Sequence, residues 1–303
     1  MALPDFLTAF SRIVLETRAD WPADAPTRER RMRAIFPDLG PDELARLAAM
    51  PPERLEVYRH TIYSGIRSQL LAAIPASLAA LDQASRETGR DGFDLYAELP
   101  KLQRLTPWPN HSTRRLLRGF QTYLAVQYPD DLLRFPCIAD LVEMECTATE
   151  VFLAPDPAHR PLDPDTLRAW VTRSVGELLE APAFLPPHAA LRRFTCDAPA
   201  LRDAWRRDQR WPSPWPPPEE AHYAAGRHHL SLAVRWTRLT PPQADTLAAL
   251  ALVGPFTLGQ LADACAERDP AVWGDPSEPE QAFQRYFAWA LSLFENGVLL
   301  QPE

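Results

Sequence analysis

Asp140, Glu143, Glu145 and Cys146 crowd into one short stretch of the chain, and His222, His228 and His229 into another. Carboxylates, thiols and imidazoles at close spacing are the material of metal sites and acid–base pairs. On a helix Asp140 and Glu143 share a face, while Glu145 turns away from Glu143. Helical carboxylate sites also use a helical Glu-x-x-His companion, and none accompanies these residues. His228 and His229 are adjacent, so on a strand they point to opposite faces and cannot easily grip one ion. The expectation is no metal site. Glycine-rich phosphate loops, the dinucleotide-binding G-x-G-x-x-G and the nucleophile elbow G-x-S-x-G are all absent. No catalytic residue is therefore expected. The four cysteines, Cys137, Cys146, Cys196 and Cys265, are scattered without a C-x-x-C pair, and read as reduced core thiols of a cytosolic protein.

The elements that position these residues are mostly helical. Apolar spacing predicts helices over 5–16, 41–50, 53–81 (kinked at Pro75), 93–105, 113–128, 138–152 and 165–179. Residues 20–27 read as a loop. The composition shifts at Ala154-Pro155-Asp156-Pro157, which places a domain boundary near residue 155. Beyond it, 191–196 reads as extended, 199–210 as a short basic helix, and Trp211 to Glu219 as a polyproline-like loop. His229 to Trp236 alternates Leu230, Leu232, Val234 and Trp236 against His229, Ser231, Ala233 and Arg235, the pattern of a half-buried strand. Three helices follow, over 241–252, 257–267 and 278–295, and then a short strand at Val298-Leu299-Leu300. The fold class is mainly α: a helical domain over 1–155 and an α+β, winged-helix-like domain over 156–303.

Charge argues about partners. The chain has 303 residues with 33 prolines, one lysine (Lys101) and a formal charge of −8. An acidic chain has no global pull toward nucleic acid or anionic membrane. Residues 251–303 hold eight acids and two bases, net −6. A helix-turn-helix there would present Asp263 and Glu267 to phosphates, and they would be repelled. The basic runs Arg28–Arg33 and Arg114–Arg118 read as solvated helix faces. No secretory signal is expected, because the N-terminus lacks a basic n-region and carries Asp5 early. The longest apolar stretch, Leu247 to Phe256, is about half of the ~20 residues that span a bilayer.

An ordered set of motifs resembles the HvfC/BufC-type family, long labelled as DNA-binding. Tyr58-Arg59 followed by Leu70 and Pro75 is similar to its Y-R…L…P stretch. Ser112 and Gly119, followed by Phe120 and Tyr123, resemble its S-x₆-G segment. Pro136-Cys-Ile-Ala-Asp-Leu-Val-Glu-Met-Glu145 resembles its P-Y-L-x-D-L-A-x-L-E signature, and 185–201 and 229–252 resemble its second half. Cys137 stands where the family usually has an aromatic residue, and Cys146 where it usually has tryptophan. The resemblance implies a non-catalytic partner of a multinuclear non-haem iron oxidase in ribosomal peptide maturation. Iron would belong to the oxidase, so no cofactor is expected in this chain.

Joined to the strand pattern, the resemblance gives concrete expectations. A leader peptide would add to an edge strand, contacting His229, Leu230, Ser231, Leu232, Ala233, Val234, Arg235 and Trp236. Arg235 and Arg238 would be available for leader acids. Tyr58, Arg59, Asp140 and Glu145 would form the oxidase contact, or else an internal Arg–carboxylate network that orders the helices. The expected setting is cytoplasmic, without membrane or nucleic-acid partners. The alternative is a transcriptional regulator that binds DNA.

Overall fold

The computed structural model describes residues 14, 22, 24–37, 39–105, 112–155, 169–170, 172–228, 231–271, 273 and 278–301. The expected helix at 5–16, apart from Val14, and residues 165–168 and 171 of the expected helix at 165–179 lie outside them; Thr172 to Ser174 are not helical. The chain divides into two compact units, 1–131 and 132–303.

The first unit is helical: α1 (Ala25–Ile35), α2 (Pro41–Ala48), α3 (Pro52–Ala73), α4 (Pro75–Glu87), α5 (Leu95–Leu105), α6 (Thr113–Gln127) and the start of α7 (Pro129–Arg134). Prolines punctuate it where a missing N–H costs nothing, in the first turns of α1 to α4. Pro75 ends one helix and begins another, so the predicted kink is a complete break. Helix α1 covers part of what the sequence presents as a loop, because Asp24 caps it through the Thr27 amide at 2.8 Å.

The second unit opens with α8 (Pro136–Phe152). Then come α9 (Val175–Leu179), β1 (Pro182–Ala183), β2 (Ala190–Phe194), α10 (Ala198–Asp208), β3 (Ala221–Arg227) and β4 (Val234–Leu239). The chain ends with α11 (Pro241–Val253), β5 (Phe256–Thr257), α12 (Leu258–Arg268) and α13 (Pro279–Glu295). Strands β2, β3 and β4 form an antiparallel sheet in that order, and β1 pairs with β5. The sequence boundary near 155 therefore separates α8 from the elements it packs on. Helix α8 lies against α10 and the three-stranded sheet. It buries residues on more than one face, Ile138, Leu141, Val142, Met144 and Val151 among them, as a helix enclosed by other elements does.

Register fixes the two faces of the sheet. Arg192, Tyr223 and Arg238 stand in one row, and Ala190, Ala225 and Trp236 in the next. This face receives α8, whose Glu143 and Thr147 accept from Arg192 Nε at 2.7 and 3.0 Å. The opposite face carries Leu191, Ala224 and Leu239 into a core with Leu247, Leu261 and Phe294. Enclosure on both faces explains why β3 (AHYAAGR) shows no alternation and was not expected: Ala224 and Ala225 are both fully buried.

The strand expected over His229–Trp236 is displaced. Strand β4 begins at Val234, and Ser231, Leu232 and Ala233 belong to the hairpin turn; His229 and Leu230 lie outside the described residues. The turn closes through His228 N to Ala233 O (2.9 Å) and Leu232 N to His228 O (2.8 Å), with Leu232 left-handed at φ 56°. At the other end Thr240 and Gln243 form a reciprocal capping box that switches the chain from β4 into α11. The expected strand at 298–300 reduces to a bridge between Leu300 and Phe184.

Candidate functional site: the outer edge of β4

Strand β4 pairs with β3 on one side alone. Among the described residues, no backbone hydrogen bond joins its outer edge to another segment. Val234, Trp236 and Thr237 are half-buried, and Arg235 and Arg238 are exposed. Trp236 is seated by Phe194 and Tyr223, with ring centroids at 5.7 and 6.3 Å. On the other face Asn296 Nδ2, just past α13, donates to Thr237 Oγ1 at 2.9 Å. Two glycines permit that approach. A Cβ on Gly226 would fall far inside contact distance of the 296–298 backbone, and one on Gly297, whose φ is +68°, would strike the Arg227 carbonyl.

Arg238 is not the free cation that the sequence suggests. Its guanidinium meets Asp197 Oδ2 at 3.1 Å and Glu219 Oε1 at 3.5 Å. Asp197 also caps α10 through the Ala200 amide (3.1 Å) and accepts from Tyr223 Oη (2.7 Å). Burial, and then the bond to Asp197, push the Tyr223 hydroxyl up, so it remains a donor. This network ties β3 and β4 to α10. The sheet's other arginines are also engaged: Arg192 with Glu143, Arg193 with Glu220, and Arg227 with the Phe152 and Ala154 carbonyls at 3.2 and 3.1 Å. Arg235 has no ion-pair partner among the described residues.

The residues expected at an oxidase contact separate into different roles. Arg59 is 4% exposed, donates Nε to Val14 O at 2.8 Å and pairs with Glu56. Glu145 is 3% exposed. Both side chains are buried. Tyr58 is 41% exposed. Asp140 is half-buried and accepts from Thr195 Oγ1 (2.6 Å) and Cys196 N (2.7 Å), holding the corner after β2 against α8. Burial raises its carboxyl above the ordinary range, against the opposing pull of those two hydrogen bonds.

The same corner overturns the reading of four reduced thiols. Cys137 and Cys196 form a disulfide, with Cα atoms 5.3 Å apart, while Cys146 and Cys265 are free and buried. Spacing hid the pair, because the fold alone brings the first turn of α8 to the end of β2. Burial pushes the Cys146 thiol up, away from nucleophilic use.

His222 is spent on Glu220 Oε1 at 2.8 Å, and His228 holds Ser231 in the hairpin turn. Among the described residues no group of three or more His, Cys, Asp or Glu side chains is placed to hold a metal ion. None of the described helices is long and apolar enough to cross a membrane. No family model matches the chain, and no curated protein matches its sequence.

Proposed function

We propose that the chain is a non-catalytic adaptor that binds a segment of a ribosomally made precursor peptide and presents it to a multinuclear non-haem iron oxidase. The observation that carries this reading is the open outer edge of β4. An extended peptide added there gains main-chain hydrogen bonds without any rearrangement of the sheet. The order of elements supports the reading as well: the β3–β4 hairpin is followed by three helices, α11 to α13, with the short strand β5 between the first two, an order compatible with a winged-helix-like peptide reader. The acidity of the terminal module favours a peptide over DNA. Asp245, Asp263, Glu267, Glu278, Glu280 and Glu295 are all exposed on these helices, and phosphates would be repelled by them. The motif resemblance supplies the oxidase and the precursor.

Co-expression tests the reading. A multinuclear non-haem iron oxidase and a candidate precursor peptide are produced together, with and without this chain. The expected result is co-purification of the two proteins and peptide modification that depends on this chain. Modification of equal extent in its absence would refute the adaptor role.

A further inference from the structure

Arg235 differs from every other arginine on the sheet. Arg192, Arg193, Arg227 and Arg238 are each neutralised or bound by a partner within the second unit. Arg235 is exposed, carries no ion pair among the described residues, and stands on the strand whose outer edge is open. Its cross-strand neighbour is Gly226, which offers no side chain to cover it. The side chains of a strand added to β4 alternate between the faces already described. Those on the α8 face lie beside Val234 and Trp236, both half-buried. Those on the other face lie beside Arg235 and Thr237. A carboxylate opposite Arg235 forms a cross-strand pair of opposite charge, whereas a cation there meets repulsion.

Resting on the adaptor reading, we propose that Arg235 selects the peptide: the β4 edge takes an extended segment of apolar–acidic–apolar pattern. Its acid faces Arg235, and its flanking apolar residues pack beside Val234 and Trp236. Arg238, locked to Asp197 and Glu219, takes no part in selection.

The test uses the full chain and three fluorescein-labelled synthetic peptides, Thr-Val-Thr-Val-X-Val-Thr-Val-Thr, with X as Glu, Gln or Lys. Fluorescence anisotropy gives their affinities. The expected order is Glu, then Gln, then Lys, with steps of about threefold, the size of an exposed pair of charges. Arg235→Gln is expected to remove the order and Arg235→Glu to reverse it, with circular dichroism unchanged. Arg193→Gln, on the other edge strand, is the control that keeps the order. An order that persists in Arg235→Glu, or that moves with Arg193, overturns the selection by Arg235 while leaving strand addition standing. If none of the three peptides binds the wild-type chain, strand addition itself is refuted. A dimer through β4, detected by sedimentation and lost in Arg235→Glu, would make a second copy the occupant and would also overturn the proposal.

Discussion

Residue chemistry at the candidate site turns on which charges are already spent. Arg235 and Arg238 are alike in sequence, one residue before and two residues after Trp236, and both read as available. Asp197 and Glu219, remote along the chain, separate them by capturing Arg238; periodicity carries no signal of such a pair. Asp197 is therefore expected to matter for stability: Asp197→Ala removes a helix cap and leaves Tyr223 and Arg238 short of an acceptor. A loss of about 1–3 kcal/mol is expected in urea unfolding. Asp140 gives a pH test. Its carboxyl is held above the ordinary value of 3.8, burial being the largest cause. The folded chain thus keeps that proton to higher pH than the unfolded chain does. The associated stability is complete below the unfolded value and is lost as pH rises through the raised one. Asp140→Asn abolishes the titration. The stability of the wild type relative to this variant is expected to fall as pH rises above the ordinary carboxylate value, as read from unfolding midpoints; a difference that grows with rising pH there would contradict the assignment.

Elements were legible where one face meets water. The helices at 41–48, 113–127, 241–253 and 279–295 follow their apolar spacing and caps to within a few residues. Strand β3 was not legible, because enclosure by α8 and the core leaves it no polar face to alternate with. The apparent strand at 229–236 mixed a turn with half of β4, since alternation does not register the left-handed step at Leu232. Gly226 is the most sensitive backbone position of the sheet. Gly226→Ala is expected to cost about 1–3 kcal/mol or more, because backbone rather than a movable side chain lies in the way. The Cys137–Cys196 link joins residues 59 apart in sequence. Its reduction, or Cys137→Ser, is expected to lower stability by about 2–4 kcal/mol, chiefly by freeing the unfolded chain. Equal urea midpoints with and without reductant would show that the bond does not form in solution.

At the scale of the molecule, the two compact units divide within α7 rather than at the proline-rich break near 155. Proline marks helix starts throughout this chain, and a cluster of prolines by itself is a poor guide to where contacts are sparse. Helix α8 supplies a reason: its Glu143–Arg192 ion pair, the hydrogen bonds to Asp140 and the Cys137 disulfide lead to residues after 190. The net charge of −8 is concentrated toward the end of the chain, on helices whose order alone suggests a DNA reader. Within that acidic unit, Arg235 is a cation with no ion-pair partner among the described residues, on an edge strand. The central claim is that this edge receives a peptide strand. Amide hydrogen exchange of the full chain, with and without the peptide Thr-Val-Thr-Val-Glu-Val-Thr-Val-Thr, tests it directly. The account predicts new protection within Val234–Leu239 and none within Ala190–Phe194. Unchanged exchange in β4 at saturating peptide, or protection confined to β2, would contradict it.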